Sequence, residues 1–133
     1  MARLGESDYR ILAGFRYELR KFVRYSERAA EEAGLTARQH QALLAIRAGP
    51  ERSLRIGELA ERLFLRPHST SELVQRMEEQ GLVRREPGAA DRREVRLMLS
   101  ERAETMLEHL TRSHRAELRR LRPMLQKLLA DLG

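Results

Sequence analysis

The feature that most limits the fold is a change in the spacing of apolar residues between residues 54 and 99. A short helical pattern over residues 57–64 is followed by a second over residues 67–80. After it, residues 82–86 and 94–99 have a strand-like pattern and flank a turn-rich Pro-Gly-Ala-Ala-Asp tip. Two short helices followed by a hairpin are typical of a winged helix-turn-helix, in which the hairpin is the wing.

Two long helical patterns flank this segment. Residues 7–33 carry apolar side chains at alternating three- and four-residue steps, with Ser7 as the expected N-cap. Residues 101–133 carry a heptad-like leucine stripe, in which Pro123 is expected to kink the helix or start a new one. At about 1.5 Å per residue the first helix is roughly 40 Å long, which is too long for a small core to cover. The sequence therefore predicts that a second copy of the chain covers these stripes.

The second helix of the pair, residues 67–80, has an apolar and a polar side. At about 100° per residue, Thr70 falls with Leu73, Val74 and Met77 on the apolar side. Its short hydroxyl side chain near the start of the helix would nevertheless allow the helix to approach DNA closely. An ordinary amphipathic helix has the same pattern, so the hairpin behind it is what favours DNA recognition. Amide and guanidinium side chains pair with adenine and guanine edges in the major groove. The residues expected to contact DNA from this helix are His68, Ser69, Thr70, Ser71, Gln75 and Arg76.

The hairpin is rich in arginine and poor in acidic residues, although a solvated charge run would have the same composition. A basic hairpin can follow a groove edge, and an arginine at its tip can enter a narrow minor groove. Asp91 lies two residues before Arg93, so on a strand-like edge their side chains share one side, and Asp91 is expected to stabilise the tip. The wing residues expected to contact DNA are Arg84, Arg92, Arg93 and Arg96.

Composition agrees with an anionic partner. The chain has 133 residues, enough for one domain, and a net charge of +6. Nucleic acid is the usual partner of such a protein, although solubility alone is the alternative. The absence of cysteine excludes disulfides, thiolate metal sites and cysteine redox switches. No apolar run approaches the ~20 residues of a membrane span, and the start of the chain lacks a signal-peptide core, so we expect no membrane partner and a cytoplasmic location.

Five stretches carry a resemblance to a known family. They are LTARQHQALL at residues 35–44, ELAERL at residues 58–63, LVQRMEEQGLVRR at residues 73–85, DRR at residues 91–93 and LMLSE at residues 97–101. Each alone is weak, but in this order and spacing they resemble the MarR family, the regulators of the multiple-antibiotic-resistance type.

The resemblance implies a homodimer that binds near-palindromic operators in double-stranded DNA, usually as a repressor, and that a small anionic or phenolic ligand often releases. It also implies that Asp91 stabilises the wing tip and that Arg93 enters the minor groove. We therefore expect a mainly α fold with a small β-hairpin wing. Residues 1–34 and 101–133 would be dimerisation helices, and residues 35–100 the DNA-binding lobe of a single protomer.

The chain departs from the family pattern at three places. Phe64 stands where the turn between the two short helices usually has glycine, and Arg66 stands where a serine or threonine cap is common. We expect the turn to be more tightly packed and the following helix less well capped. The link around Arg122 and Pro123, between a fifth and a sixth helix, is short and predicts a small C-terminal dimerisation element.

Other classes of function are less favoured. Ser69 and Ser71 are too close to His68 on one helix to face it as a nucleophile faces a base, and the sequence has no glycine-rich phosphate loop. We therefore predict no catalytic residue, no enzyme activity and no cofactor. A metal-responsive regulator of the same fold is one alternative, with His40, His109 and His114 as candidate ligands. His109 and His114 lie about 140° apart around one helix and do not readily share an ion, so no metal site is predicted. A winged-helix protein-interaction module that does not bind DNA is the other alternative.

A ligand pocket is expected between the terminal helices and the DNA-binding lobe. Its candidate residues are Arg16, Tyr17, Arg20 and His40, any of which could instead be a solvated or packed side chain.

Overall fold

A computed structural model describes residues 3–132, and in this span helices dominate and a single antiparallel hairpin forms. The prediction of a mainly α winged helix-turn-helix is confirmed, and the predicted boundaries up to the start of the last helix lie within one residue of those observed. The elements are α1 Glu6–Glu32, α2 Ala37–Arg47, a 3-10 turn Pro50–Arg52, α3 Ile56–Leu63, α4 Pro67–Glu79, β1 Val83–Pro87, β2 Val95–Leu99 and α5 Glu101–Ala130.

Side-chain caps begin two of the helices. Thr36 and Ser100 accept hydrogen bonds from amides in the first turns of α2 and α5. The expected cap at Ser7 is wrong, because the N-cap of α1 is Gly5, whose amide donates a 2.8 Å hydrogen bond to Asp8 Oδ2.

The prediction of a sixth helix is wrong, because α5 continues through Pro123 to Ala130. Proline removes one backbone hydrogen bond of a helix. The loss is tolerated here because α5 packs along α1 on both sides of this point. The packing is close near the C-terminus, where a Cβ added to Gly14 would lie 3.2 Å from the Leu128 side chain. The C-terminal element is therefore one long helix, not a short one.

The core lies where α2, α3, α4, β2 and the start of α5 meet. The largest fully buried side chains include Leu43, Ile46, Leu59, Met77 and Leu97. An isolated two-stranded hairpin is marginal in water. Here β2 buries Leu97 and Leu99 in the core, and one further antiparallel bridge joins Leu54 to Leu97. The base of the hairpin is therefore attached to the helical body.

The terminal helices leave part of their apolar stripes uncovered. Leu12, Val23, Leu118 and Leu129 are all at least 45% exposed in the single chain. None of the helices in residues 3–132 is long and apolar enough to cross a membrane.

The turn between α3 and α4 contains a strained residue. Phe64 ends α3 with φ 54° and ψ 40°, the left-handed region, and its side chain is 96% exposed. The expectation of a tighter-packed turn is wrong, because the left-handed backbone turns the ring into solvent. Arg66 precedes α4 without a side-chain capping bond, as predicted. A left-handed residue other than glycine costs about 1–3 kcal/mol, and burial of the ring does not offset this cost.

We expect Phe64→Gly to raise the free energy of unfolding by up to about 1 kcal/mol, because glycine adopts this backbone without strain but gains freedom in the unfolded chain. Urea denaturation would measure the change. Phe64→Ala is the matched control, since alanine also loses the ring but keeps the Cβ that causes the strain. Equal stabilities for the glycine and alanine variants would contradict the assignment of strain to this backbone.

Candidate nucleic-acid interface

The orientation of α4 is set by the side chains that it buries. Val74 and Met77 are completely buried in the core, and Leu73 is half-buried beside them. The opposite face, which carries Gln75 and Arg76, is exposed. His68, Ser69 and Ser71 are exposed in the first turns of the helix. The structure therefore presents five of the six α4 residues expected at DNA on the surface.

The sixth residue, Thr70, is a correction. Its side chain is completely buried, and Oγ1 donates a 3.0 Å hydrogen bond to the Arg66 carbonyl oxygen. Thr70 lies one turn before Val74 and shares its inward face, so it cannot contact DNA. The hydroxyl satisfies its hydrogen bond locally, which allows a polar side chain to lie in the core.

Acidic partners restrain part of the exposed face of α4. His68 Nε2 lies 3.1 Å from Glu72 Oε1, and Gln75 Nε2 lies 3.5 Å from Glu79 Oε1. These carboxylates repel DNA phosphates, although a carboxylate can accept a hydrogen bond from the amino group of cytosine. The exposed face of α4 is thus suited to contacts with base edges. The strongest positive charge of the candidate interface must come from residues outside α4.

The wing tip is a turn built around Asp91. Its Oδ1 accepts hydrogen bonds from the Arg93 amide at 3.0 Å and from Arg93 Nε at 3.2 Å. The Glu94 amide closes the turn on the Asp91 carbonyl oxygen at 3.1 Å. The two side chains meet because residues 91–94 form a turn, not because they alternate along a strand edge as the sequence analysis assumed.

Two hydrogen bonds lower the pKa of Asp91 below its usual value, and the bond from the Arg93 amide has a larger effect than the bond from the Arg93 guanidinium. The carboxylate is therefore ionised at neutral pH and keeps its bonds to Arg93. The Arg93 side chain is nevertheless 92% exposed, and Arg92 beside it is exposed as well. The tip thus presents two guanidinium groups to solvent.

The other two wing arginines are bound to the protein. Arg84 donates a 3.0 Å hydrogen bond to the Leu99 carbonyl oxygen and pairs with Glu86 at 2.8 Å, which leaves its side chain about half exposed. Arg96 was expected at DNA, and the structure contradicts this expectation. Its side chain is only 15% exposed, because the guanidinium binds Ser53 in the loop before α3.

A protein-family model described as MarR family matches residues 33–94, which contain α2, α3, α4, β1 and the wing tip. This match covers slightly less than half of the chain, so residues 33–94 are similar to the MarR family. No sequence among curated proteins matches the chain.

Solved structures extend the likeness to the terminal helices. RV1404 from Mycobacterium tuberculosis is 22% identical with a TM-score of 0.75, over 99% of this chain and 94% of that one. AbsC, a MarR family transcriptional regulator from Streptomyces coelicolor, is 23% identical with a TM-score of 0.70, over 90% and 81%. Sco3205, a MarR family transcriptional regulator from the same organism crystallised in complex with DNA, is 24% identical with a TM-score of 0.70, over 99% and 87%. At such identities these structures establish the fold of the chain.

A cavity of about 760 Å³ lies between α1, α2 and α5. His40 lies in its wall, but the other candidate ligand residues do not. Arg16 and Arg20 border a separate groove along α1, and Tyr17 is exposed outside both. The expectation that these four residues form one pocket is therefore wrong. The cause is the helical period, which turns residues 16, 17 and 20 of α1 away from the side that faces α2.

Sequence reasoning missed His114 as the partner of His40. The two imidazole rings lie 4.8 Å apart between centroids. His114 Nε2 lies 2.8 Å from Ser26 Oγ, and its Nδ1 lies 2.7 Å from the Leu110 carbonyl oxygen. His40 Nδ1 is buried and has no hydrogen-bond partner among the described residues. The sequence analysis compared His114 only with His109 on the same helix, whereas the pairing with His40 depends on how α5 packs over α2.

No group of three histidine, aspartate or glutamate side chains in residues 3–132 is arranged to hold a metal ion. The environment of this histidine pair instead changes the pKa of His40. Burial of His40, followed by the charge of His114, lowers the pKa of His40 below its usual value of 6.5.

We expect the free energy of unfolding to decrease as the pH falls below about 6.5, because His40 binds a proton more readily in the unfolded chain than in the folded one. The decrease should stop once the pH is below the pKa of folded His40. Urea denaturation from about pH 8 to about pH 5 would measure it. His40→Gln should remove this part of the pH dependence, whereas His109→Gln, at an exposed position, should keep it. An unchanged pH profile for His40→Gln would contradict the assignment.

Proposed function

We propose that the protein is a sequence-specific, DNA-binding transcriptional regulator without enzymatic activity. The observation that carries this proposal is that one rigid core supports both the polar face of α4 and the exposed arginines of the wing tip. A relative of the same fold, Sco3205, was crystallised in complex with DNA. No contact in the described residues favours the metal-responsive alternative.

In this proposal α4 lies in the major groove. His68, Ser69 and Ser71 approach the DNA at the start of the helix, and Gln75 and Arg76 contact base edges or phosphates further along. Thr70 has no role at the DNA because it is buried. Arg92 and Arg93 follow the minor groove from the wing tip, and Arg84 at the wing base is exposed enough to meet a phosphate.

We propose that the terminal helices, within residues 1–34 and 101–133, form a homodimer around the DNA-binding lobe of residues 35–100. An apolar groove near the ends of α1 and α5 is lined mainly by Ile11, Leu12, Phe15 and Leu128 and supports this assignment. A second copy would cover the exposed side chains of this groove, Leu12, Leu129 and Leu132, and remove them from water. Two copies related by a twofold axis bind a near-palindromic operator whose half-sites are centred about 34 Å apart.

Regulation by a ligand is the finer part of the proposal. The cavity between α1, α2 and α5 has an apolar floor that includes Phe22 and Leu44, and Arg115, Arg119 and Arg122 at its α5 side. Such a lining suits a small anionic or phenolic ligand. Because the cavity separates the dimerisation helices from α2, an occupant changes the position of the DNA-binding lobe and relieves repression.

The DNA contacts can be tested at the wing. On an operator selected from genomic fragments, we expect Arg93→Ala to weaken binding and to flatten the plot of log affinity against log salt by about one unit. Fluorescence anisotropy at several salt concentrations would measure both effects. Arg112→Ala, which removes the same charge from an exposed position on α5, should leave both unchanged. Arg93→Ala with the affinity and salt slope of the wild type would refute its role, and a wild-type protein that retains no fragment would refute the function.

Dimerisation can be tested on the uncovered stripe of α5. We expect Leu129→Glu to shift the sedimenting mass toward the 15.5 kDa of one chain and to weaken operator binding, because it places a charge in the proposed interface. Deleting the chain from Pro123 onward should have the same two effects. Phe64→Glu introduces the same charge at an exposed apolar position away from the terminal helices and should remain dimeric. A dimeric Leu129→Glu variant, with the deletion also dimeric, would overturn the assignment.

A further inference from the structure

The loop between α2 and α3 is unusually tight for a segment on the surface. Glu51 and Arg52 both have positive φ angles, 55° and 58°, although neither is glycine. A Cβ added to Gly49 would collide with the Ser53 carbonyl oxygen, so the loop folds closely back on itself. Ser53 is 98% buried at its end, and its hydroxyl donates a 3.0 Å hydrogen bond to the Pro50 carbonyl oxygen. This conformation leaves the second hydrogen-bonding position of Ser53 Oγ and its carbonyl oxygen directed toward β2.

Arg96 of β2 occupies both acceptors. Its Nε donates a 2.7 Å hydrogen bond to Ser53 Oγ, and one terminal nitrogen donates a 3.3 Å hydrogen bond to the Ser53 carbonyl oxygen. Two carboxylates complete its surroundings, with Glu94 Oε2 at 3.7 Å and Glu58 Oε1 at 4.0 Å. The guanidinium thus joins the wing to the loop and to the first turn of α3.

A second arginine closes the network. Arg55, immediately before α3, lies 3.2 Å from Glu58 and 3.3 Å from Glu94. Glu94 belongs to the wing tip, where its carbonyl oxygen accepts a hydrogen bond from the Gly88 amide at 3.0 Å. The backbone hydrogen bond from Arg55, the largest of several causes, lowers the pKa of Glu58, so this carboxylate is charged at neutral pH. The four side chains therefore connect the distal half of the wing to the start of α3.

The backbone alone does not provide this connection. Within residues 3–132, the backbone of β2 is joined to the loop before α3 only through the bridge between Leu54 and Leu97, with hydrogen bonds of 3.2 and 2.8 Å at the wing base. Beyond this point the wing is a two-stranded hairpin, which by itself is marginally ordered in water. The direction of the tip relative to α4 therefore depends on side chains.

We propose that Arg96 is a positioning residue of the wing, which fixes the direction of the tip through Ser53, Glu58 and Glu94 and so determines how Arg92 and Arg93 meet DNA. The proposal rests on the proposed DNA-binding function. In this proposal Arg96 itself does not contact DNA. Only a guanidinium fits this place, because its planar fork donates in several fixed directions, whereas an ammonium group is a single point charge.

The proposal is tested with two variants of Arg96 and one matched control. Arg96→Gln removes the charge and most of the donors, Arg96→Lys keeps the charge without the fork, and Arg92→Gln removes the same charge from the exposed tip. The first measurement is amide hydrogen exchange at residues 88–94 of the free protein, with the amides of the core helices as the control for global unfolding. The second is the affinity for the selected operator as a function of salt concentration.

We expect the tip amides of both Arg96 variants to exchange severalfold faster than those of the wild type. We also expect both variants to bind the operator severalfold more weakly, with an unchanged slope of log affinity against log salt. Arg92→Gln should leave the exchange unchanged and flatten the salt slope by about one unit. Arg96→Lys that matches the wild type in exchange and affinity would overturn the proposal, because charge alone would then suffice. Arg96→Gln with normal exchange and a flattened slope would also overturn it, because Arg96 would then contact a phosphate.

Milder variants keep the test decisive if the Arg96 variants unfold. Ser53→Ala and Glu58→Gln each remove one partner, and each should speed tip exchange in the same direction while the core amides stay protected. Normal tip exchange in both variants would reject the proposal. If the wild type binds no DNA, the proposed function fails, and the exchange measurement still decides whether Arg96 orders the wing.

Discussion

The burial of one face of α4 is the constraint on which the rest of the interface depends. Val74 and Met77 are completely buried in the core, and α4 packs against α3 and β1. Since the sides of a helix are related by a fixed rotation, enclosing these residues also fixes which side chains face outward. Gln75 and Arg76 are exposed for this reason and not because of any contact of their own. The same core also anchors the hairpin, so the two DNA-facing surfaces share one support.

The two surfaces divide the work of recognition. The exposed face of α4 carries basic, acidic, hydroxyl and amide side chains, and the acidic side chains hold His68 and Gln75 in place. The wing tip presents two arginines, and the carboxylate of Asp91 binds one of them, Arg93, without burying it. Contacts with phosphates supply affinity and position, whereas contacts with base edges supply sequence preference. In the proposed function, this chain places the phosphate contacts mainly on the wing and the base contacts mainly on α4.

The elements and the outward face of α4 were predictable because they follow from periodicity, which depends only on local spacing. Four features were not. The angular spacing places Thr70 with the apolar residues of α4, but it does not reveal that the hydroxyl is satisfied within the helix and that the side chain can therefore be buried. Arg96 looks like any other wing arginine until the loop at Ser53 folds against it. The meeting of His40 with His114 and the continuity of α5 through Pro123 both depend on packing between distant segments.

The unbroken course of α5 has a mechanical consequence. Its first turn is attached to the end of α4, since Ser100 Oγ donates a 2.7 Å hydrogen bond to the Gly81 carbonyl oxygen and Arg102 donates to that of Gln80. Its far end carries the uncovered leucines. A helix of 30 residues is about 45 Å long, so it acts as a lever arm on which a tilt of about five degrees moves the opposite end by about 4 Å. A displacement of this size exceeds the tolerance of a hydrogen bond to a base edge, so in the proposed dimer a small rotation where the two chains meet would be enough to misalign α4 with the DNA groove.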